Sequence, residues 1–196
     1  MDAVEANVLS WLTSGHEDAA DIVNLPWSVH EKDIGLYSAE HPSVPIRLIM
    51  KFTEGFIHLM VPTEIYTSGM DDEEKAAKYR QLLELNETIY MMKFGLDGLD
   101  GQVMLRIDLD KETLGKEEFN DALTALVIGM FSGGSVLGTE KDFLEKISER
   151  IVATLVDRIE KGASEDELME FLTNRVGMDE LSTSTLLGAV KEYLGN

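Results

Sequence analysis

The spacing of apolar residues changes along this chain, and these changes constrain the fold more than any other feature. In residues 2–14 the apolar side chains recur at every third or fourth position, as on one side of a helix. Over residues 46–52 they fall mainly on alternate positions, as in a strand with one buried face. The chain switches between these two patterns several times. It therefore predicts a mixed protein of helices and strands.

Taken in order, the patterns predict the elements α-β-β-β-α-β-β-α for the first part of the chain. A first strand is expected around 27–37, with a hairpin tip or a bulge at 31–33. The remaining elements are strands over 46–52 and 56–61, a helix over 71–87, a hairpin with strands over 90–96 and 103–109, and a helix over 116–131. The expected fold class is α+β.

The chain after residue 131 has a different character. The Ser-Gly-Gly-Ser segment at 132–135 is predicted to break the preceding helix, and the spacing beyond it is helical throughout. The predicted domains are an α+β domain of residues 1–132 and a helical extension of residues 139–196. A continuous apolar stripe in the extension is expected to mediate homodimerisation through Leu144, Ile147, Ile151 and Leu155.

Charge limits the partners that the chain can have. The 37 acidic residues outnumber the 17 lysines and arginines and give a formal net charge of -20. By comparison, about 2 to 8 charges keep a small domain soluble. A chain with this charge repels a phosphate backbone, so nucleic acid is not an expected partner. The expected partner is a protein segment or a basic protein.

Neither a membrane span nor an export signal is expected. The first 20 residues carry acidic side chains and no lysine or arginine, unlike a secretory signal or a transit peptide. The longest apolar stretch of the C-terminal half, at 125–131, is far shorter than the ~20 residues that cross a bilayer. The absence of cysteine fits a reducing compartment. The predicted location is the cytoplasm.

The motifs that suggest catalysis or metal binding are each incomplete. The four histidines are scattered along the sequence without the spacing of a metal site. Gly133 and Gly138 have the spacing of a phosphate-binding loop, but Thr139 stands in the place of the required lysine. Residues 108–112 imitate the start of a calcium loop, but Thr113 stands where a glycine is needed. We therefore predict no catalytic residue, no metal ligand and no cofactor.

Aromatic and methionine side chains are the candidates for a partner surface, with a place in the core as the alternative for each. Tryptophan and tyrosine join a large apolar surface to a polar group. Methionine adapts its shape to irregular surfaces, and several methionines fall within or beside predicted strands. The candidates are Trp11, Trp27, Tyr37, Met50, Met60, Met91 and Met104.

A family resemblance rests on short structural motifs between residues 82 and 123. The segments that carry it are 82–86, 94–97 and 103–109, followed by Glu118, Phe119 and Leu123. Together they resemble the helix-hairpin-helix half of the YbjN-like family, which is itself similar in fold to the type III secretion chaperones. By element order the resemblance extends over residues 1–131.

The resemblance implies a compact α+β module with a twisted antiparallel sheet. It also implies a protein that is often dimeric and that holds partner segments without hydrolysing nucleotide. Two features depart from the family pattern. The hairpin turn at 97–101 is longer than the family's short acidic turn, and a secretion chaperone would lack the helical extension.

The predicted function is therefore non-enzymatic protein binding, as a chaperone-like or adaptor module. Two alternatives stay open. One is a small-molecule-dependent or metal-dependent enzyme that uses the acidic side chains of the predicted hairpin, Asp97, Asp100, Asp108 and Asp110. The other is an acidic mimic of nucleic acid that occupies a basic groove of another protein.

Overall fold

The structure joins an antiparallel sheet to helices, so the predicted α+β class is confirmed. This computed structural model describes residues 2–17, 19, 21–42, 44–88, 91–137, 152, 155–156, 158–175 and 180–194. The first part contains α1 (Ala3–Thr13), a 3-10 turn (Ile22–Asn24), β1 (Ser28–Asp33), β2 (Leu36–His41), β3 (Val44–Phe52), β4 (Phe56–Tyr66), α2 (Asp72–Thr88), β5 (Lys93–Asp97), β6 (Gln102–Asp110) and α3 (Lys116–Leu137). The C-terminal region is helical, with α4 (Glu165–Glu170), a π-helical turn (Phe171–Arg175) and α5 (Glu180–Leu194).

The six strands form one sheet in the order β1-β2-β3-β4-β6-β5, and each strand runs antiparallel to its neighbours. Alternation of side chains gives the sheet one buried face, represented in β4 by Ile57, Leu59 and Val61, which are fully buried. Helix α3 contacts β6 and β3 and contributes the fully buried Phe119 and Leu123 to the same core. The core thus lies between α3 and this face of the sheet.

The first predicted strand is in fact a hairpin of two strands, so the expected order of elements lacked one strand. The predicted bulge is present, because the register of β1 on β2 shifts between Glu31 and Asp33. The turn itself follows at Ile34-Gly35, where Gly35 has a φ of 67°. Glycine adopts this left-handed conformation without the steric cost that a Cβ atom brings. The apolar pattern did not predict β2 as a separate strand, because small and polar residues occupy much of it.

Helix α3 continues through the segment that was expected to break it. The helix runs to Leu137 and so includes Gly133 and Gly134. A glycine costs only about 1 kcal/mol relative to alanine inside a helix. A helix of 22 residues with a buried apolar stripe can tolerate that cost. The prediction of a break at 132–135 was therefore wrong.

The C-terminal region shares the core of the sheet-bearing part. Leu155, Phe171 and Leu172 are buried in the same hydrophobic cluster as Phe119. This corrects the prediction for Leu155, because a side chain that is 0% exposed within one chain is not available to a second copy. The other three residues of the predicted dimerisation stripe, Leu144, Ile147 and Ile151, lie outside the described residues.

No helix in the described ranges is both long enough and apolar enough to pass through a bilayer.

A buried hydrogen bond ties α1 to the sheet. The hydroxyl of Tyr37 donates to Oε1 of Glu5 over 2.8 Å, and both residues are buried. Burial, followed by the hydrogen bond to Glu5, raises the pKa of Tyr37 from 10.0 to about 12. The folded chain therefore keeps the phenolic proton of Tyr37 over a pH range in which the unfolded chain has already lost it.

We predict that this pair makes stability depend on pH under alkaline conditions. Because the raised pKa favours proton binding by the folded state, the free energy of unfolding should fall as the pH rises from 10.0 to about 12. Urea unfolding across this range measures the effect, with Tyr37→Phe as the control. The variant should lose about 1–3 kcal/mol at neutral pH, since Glu5 loses its donor, and should fall less steeply with pH. Parallel pH profiles for the two proteins would contradict the prediction.

Candidate partner-binding face

The second face of the sheet carries the candidate site. In β4 the alternate residues Phe56, His58 and Met60 point away from the buried face, and Phe56 is 48% exposed. In β3 the exposed Lys51 and the half-buried Ile49 occupy the matching positions. We call the following side chains on this outward side the open face: His30, Leu36, Ser38, Ile49, Lys51, Phe56, His58, Met60, Lys93, Asp97, Arg106, Asp108 and Asp110. Ser38 lies on this side by register but is only 4% exposed.

A single row of paired residues crosses all six strands of this face. The strand registers place these residues opposite one another in the order His30, Ser38, Ile49, Met60, Arg106 and Lys93. Directly opposed side chains in an antiparallel sheet lie about 5 Å apart at their Cβ atoms. Ile49 and Met60 therefore form an apolar centre with basic side chains at one end. This central row contains no carboxylate.

A second row runs beside it through Leu36, Lys51, His58 and Asp108. Nδ1 of His58 donates to Oδ1 of Asp108 over 2.6 Å, which leaves Nε2 as the other polar atom of the ring. The ring centroid of Phe56 lies 6.3 Å from that of His58. This second row thus joins an apolar edge to a histidine–carboxylate pair.

The two rows reverse the charge ratio of the whole chain. They hold three lysines and arginines, Lys51, Lys93 and Arg106, against one carboxylate, Asp108. In the chain as a whole 17 lysines and arginines stand against 37 acids. Asp97, which pairs with Arg106, and Asp110, which lies opposite Phe56, are on the same side of the sheet beside these rows, so the three cations there are matched by three carboxylates.

The basic side chains of the open face differ in how they are held. Nη2 of Arg106 donates to Oδ1 of Asp97 over 3.0 Å and to the carbonyl oxygen of Leu96 over 3.3 Å. Nζ of Lys93 donates to the carbonyl oxygen of Asn86 over 2.6 Å. Lys51 forms no ion pair with any described residue. Lys51 is thus the most available cation of the three.

The structure removes four of the predicted partner-binding residues from any exposed surface. Trp27, Tyr37, Met50 and Met104 are at most 5% exposed. Trp27, Tyr37 and Met50 fill the core, where burial of apolar area is most favourable. Met104 is buried on the outward side of β6, two residues from Arg106. The prediction of an exposed partner surface is therefore corrected for these four residues.

The other three predicted residues are more accessible but do not form one group. Met60 lies at the centre of the open face. Trp11 lies on α1, half-buried against Phe119 with a centroid separation of 6.0 Å. Met91 is 41% exposed and comes just before the edge strand β5. The open face thus keeps one of the seven predicted residues.

The aspartates of the open face were candidates only for the enzyme alternative, and its other residues were missed, although the sequence contained a signal. The polar positions that alternate with the buried residues in the strands, Lys51 in β3 and Arg106 in β6, mark the outward side. Which of these positions meet across strands depends on the order of the sheet. In the sheet β6 lies between β4 and β5, so the order of the strands along the chain does not predict their order in the sheet.

The acidic residues of the predicted enzyme alternative do not converge. Asp97 pairs with Gln102 at one end of the β5–β6 hairpin, whereas Asp108 lies six residues farther along β6, about 20 Å away. Asp100 lies in the turn, and Asp110 accepts a hydrogen bond from the Glu112 amide over 2.8 Å. Across the described parts of the chain, no three histidine or acidic side chains are grouped to hold a metal ion.

A separate groove of about 400 Å³ lies between α4 and α5. Across this groove, Nζ of Lys191 donates a hydrogen bond to Oε2 of Glu165 over 2.6 Å. Glu165 and Asp166 are in the first turn of α4, where acidic side chains stabilise the helix through its dipole. The charged lining therefore has a local structural role.

Two family models together match nearly the whole chain. One, described as a domain of unknown function (DUF8183), matches residues 7–136, which include every strand of the sheet. The other, named HTH_78 and also described as a domain of unknown function, matches residues 138–194. No curated protein matches this sequence. Because the first model covers about two thirds of the 196 residues, the chain belongs to the DUF8183 family.

Proposed function

We propose that this protein is a non-enzymatic, cytoplasmic protein-binding module that holds a segment of another protein on its open face. The observation that carries the proposal is the central row, where Ile49 and Met60 stand side by side and no carboxylate is present. Elsewhere the chain carries a large acidic excess. Exposed apolar groups with a rim of polar ones are typical of protein interaction sites.

The regular spacing of the open face suits a peptide. Side chains from neighbouring strands form rows about 5 Å apart, which gives an extended segment evenly spaced contacts. An extended or helical segment could lie across several strands and contact Met60, whose flexible thioether adapts to different side chains. Phe56, half exposed at the end of β4, adds an aromatic contact to the same surface.

The electrostatics of the C-terminal region argue against a nucleic-acid partner. Residues 138–194 contain 13 acidic side chains and 7 lysines and arginines. Helix α5 has one lysine, Lys191, and that side chain is already paired with Glu165. Binding to nucleic acid depends largely on cations placed against phosphates. We therefore keep protein as the proposed partner class for the whole chain.

The YbjN-like and secretion-chaperone resemblance remains part of the proposal. It is supported by the succession of a helix, strands, a helix, a hairpin and a helix over residues 3–137. A homodimer also remains a proposal, formed by a surface other than Leu155. Neither feature is needed for the open face to bind a segment.

Photocrosslinking can test the proposed function directly. A photoreactive phenylalanine analogue replaces Met60 in the full chain, and a second protein carries it at Leu83, which is 66% exposed on α2. We predict that the chain with the photoreactive residue at position 60 forms discrete covalent adducts with a protein partner. The chain with the photoreactive residue at position 83 should form none of these adducts. Unlabelled wild-type chain should compete for the adducts. Identical adducts at the two positions would contradict binding on the open face.

A further inference from the structure

We propose that Asn86, in the last turn of α2, is a latch that closes the β5 edge of the sheet to a second copy of this chain. Strand β5 is an edge strand, because the sheet runs in the order β1-β2-β3-β4-β6-β5. An exposed edge presents backbone N–H and C=O groups with which a further strand can pair. The β5 edge is separate from the open face, so the latch does not depend on the proposed function.

The side chain of Asn86 takes the place that a further strand would occupy beside Phe94. The amide of Phe94 donates to Oδ1 of Asn86 over 2.7 Å, and Nδ2 of Asn86 donates to the carbonyl oxygen of Phe94 over 3.1 Å. Two residues that face each other in a hydrogen-bonded pair of an antiparallel sheet exchange the same two bonds. Nζ of Lys93 also donates to the carbonyl oxygen of Asn86 over 2.6 Å, which holds this turn of α2 at the edge.

The bonds of Phe94 show which other backbone groups of β5 face outward. Phe94 directs its N–H and C=O away from β6, and this direction alternates along an antiparallel strand. Leu96, two residues farther on, therefore directs its own groups outward as well. Its carbonyl oxygen accepts from Nη2 of Arg106 over 3.3 Å, whereas its N–H has no acceptor among the described residues. Side chains thus cap the outward groups of both residues except the N–H of Leu96.

The sequence of β5 is able to pair with itself. Two antiparallel copies of the strand related by a two-fold axis at Gly95 place Lys93 opposite Asp97 and Phe94 opposite Leu96. Phe94 and Leu96 would then exchange both of their bonds, so each outward backbone group would gain a partner. Lys93 and Asp97 are both exposed, and opposite charges directly across a ladder are stabilising. A second copy is therefore the occupant that fits this edge.

The net charge of the molecule does not protect this edge by itself. Two copies of the chain repel each other, because each has a formal net charge of -20. Between exposed charges this repulsion is screened beyond roughly 10 Å at an ionic strength of 0.1 M. The charges that would meet across two β5 strands are closer than this and opposite in sign. At moderate salt a closed edge therefore requires the latch.

Light scattering coupled to size-exclusion chromatography of the full chain tests the inference at an ionic strength of about 0.1 M. Asn86→Ala removes both bonds to Phe94 and should give, as the protein concentration rises, a species of about twice the wild-type mass. Adding Leu96→Pro should restore the wild-type mass, because proline removes the outward N–H and no bond to β6. The matched control is Glu87→Ala, which changes an exposed residue in the same turn and should keep the wild-type mass.

Hydrogen exchange gives an independent measurement on the wild-type chain. After correction for intrinsic rates, the amide of Phe94 should exchange about tenfold more slowly than that of Leu96, because only the Phe94 amide has an acceptor. In Asn86→Ala both amides should exchange slowly in the paired species. On dilution to the single chain, both should exchange rapidly.

Three results would overturn the inference. The first is a wild-type mass for Asn86→Ala at every concentration, and the second is a larger species that persists when Leu96→Pro is added. The third is equal exchange of the Phe94 and Leu96 amides in the wild-type chain. Thermal unfolding shows whether each variant is folded. If Asn86→Ala does not fold, the wild-type exchange rates still decide whether Asn86 closes the edge.

Discussion

Phe119→Ala should lower the free energy of unfolding by about 3–5 kcal/mol. Phe119 is 0% exposed and projects from α3 into the core. Its ring also contacts Trp11 at a centroid separation of 6.0 Å, so it joins α1 to α3. Removing the ring loses buried apolar area and leaves a cavity that the surrounding strands and helices can fill only in part. Since a domain of this kind is stable by only about 5–15 kcal/mol, this loss is a large fraction of the total.

Urea unfolding followed by tryptophan fluorescence measures this effect. The two tryptophans, Trp11 and Trp27, both lie in the sheet-bearing part, so the signal reports on that part of the chain. The matched control is Leu83→Ala, because Leu83 is a large apolar residue that is 66% exposed on α2. It should change stability by less than about 0.5 kcal/mol. Equal unfolding midpoints for the two variants would show that Phe119 does not anchor the core.

Gly15→Ala should cost about 3 kcal/mol, although it adds only one methyl group. An added Cβ atom at Gly15 would lie 2.0 Å from the carbonyl oxygen of Asn24 and 2.6 Å from the carbonyl carbon of Leu25. These are backbone atoms, so no side-chain rotation can relieve the clash. The carbonyl of Asn24 is also held in place by the His16 amide, which donates to it over 2.8 Å. The end of α1 would have to move away from the 3-10 turn.

Gly69→Ala is the control for this substitution. A Cβ atom at Gly69 would meet no other atom within 4 Å. Replacement of an unstrained glycine by alanine changes stability little, or raises it by about 0.4–1 kcal/mol through the unfolded state. Differential scanning calorimetry of the two variants gives the comparison. A melting temperature for Gly15→Ala equal to that of Gly69→Ala would contradict the close backbone approach.

The helices and most strands were predictable because their apolar spacing is a local property. Helix α2 at Asp72–Thr88 and strands β3, β4 and β6 lie close to the positions that their periods predict. The β1–β2 hairpin was not resolved in this way. Its second strand, Leu36–His41, hides its period because Ser38 and Ala39 are buried in place of large apolar residues. Such a strand is identified by its neighbours in the sheet, which the sequence does not reveal.

The sequence could predict the kind of site, a protein-binding surface, but not most of the residues that form it. Methionines in strands suggested a protein-binding surface, yet Met50 and Met104 are buried and only Met60 lies at the centre of the open face. A strand pattern shows that residues alternate, but large apolar residues can occupy either side of a sheet. The assignment of each side chain to the core or the surface depends on what packs against it.

The sequence by itself determined the α+β class, the strong acidic excess and the helical character of the C-terminal region, because composition and periodicity are local. Only the tertiary structure decided that Ile49, Met60 and Arg106 stand in one row. Their strands pair across a sheet in which β6 lies between β4 and β5, and this pairing joins residues more than 40 positions apart in the chain. Register between distant strands is set by the packing of the whole core, and no local pattern contains it.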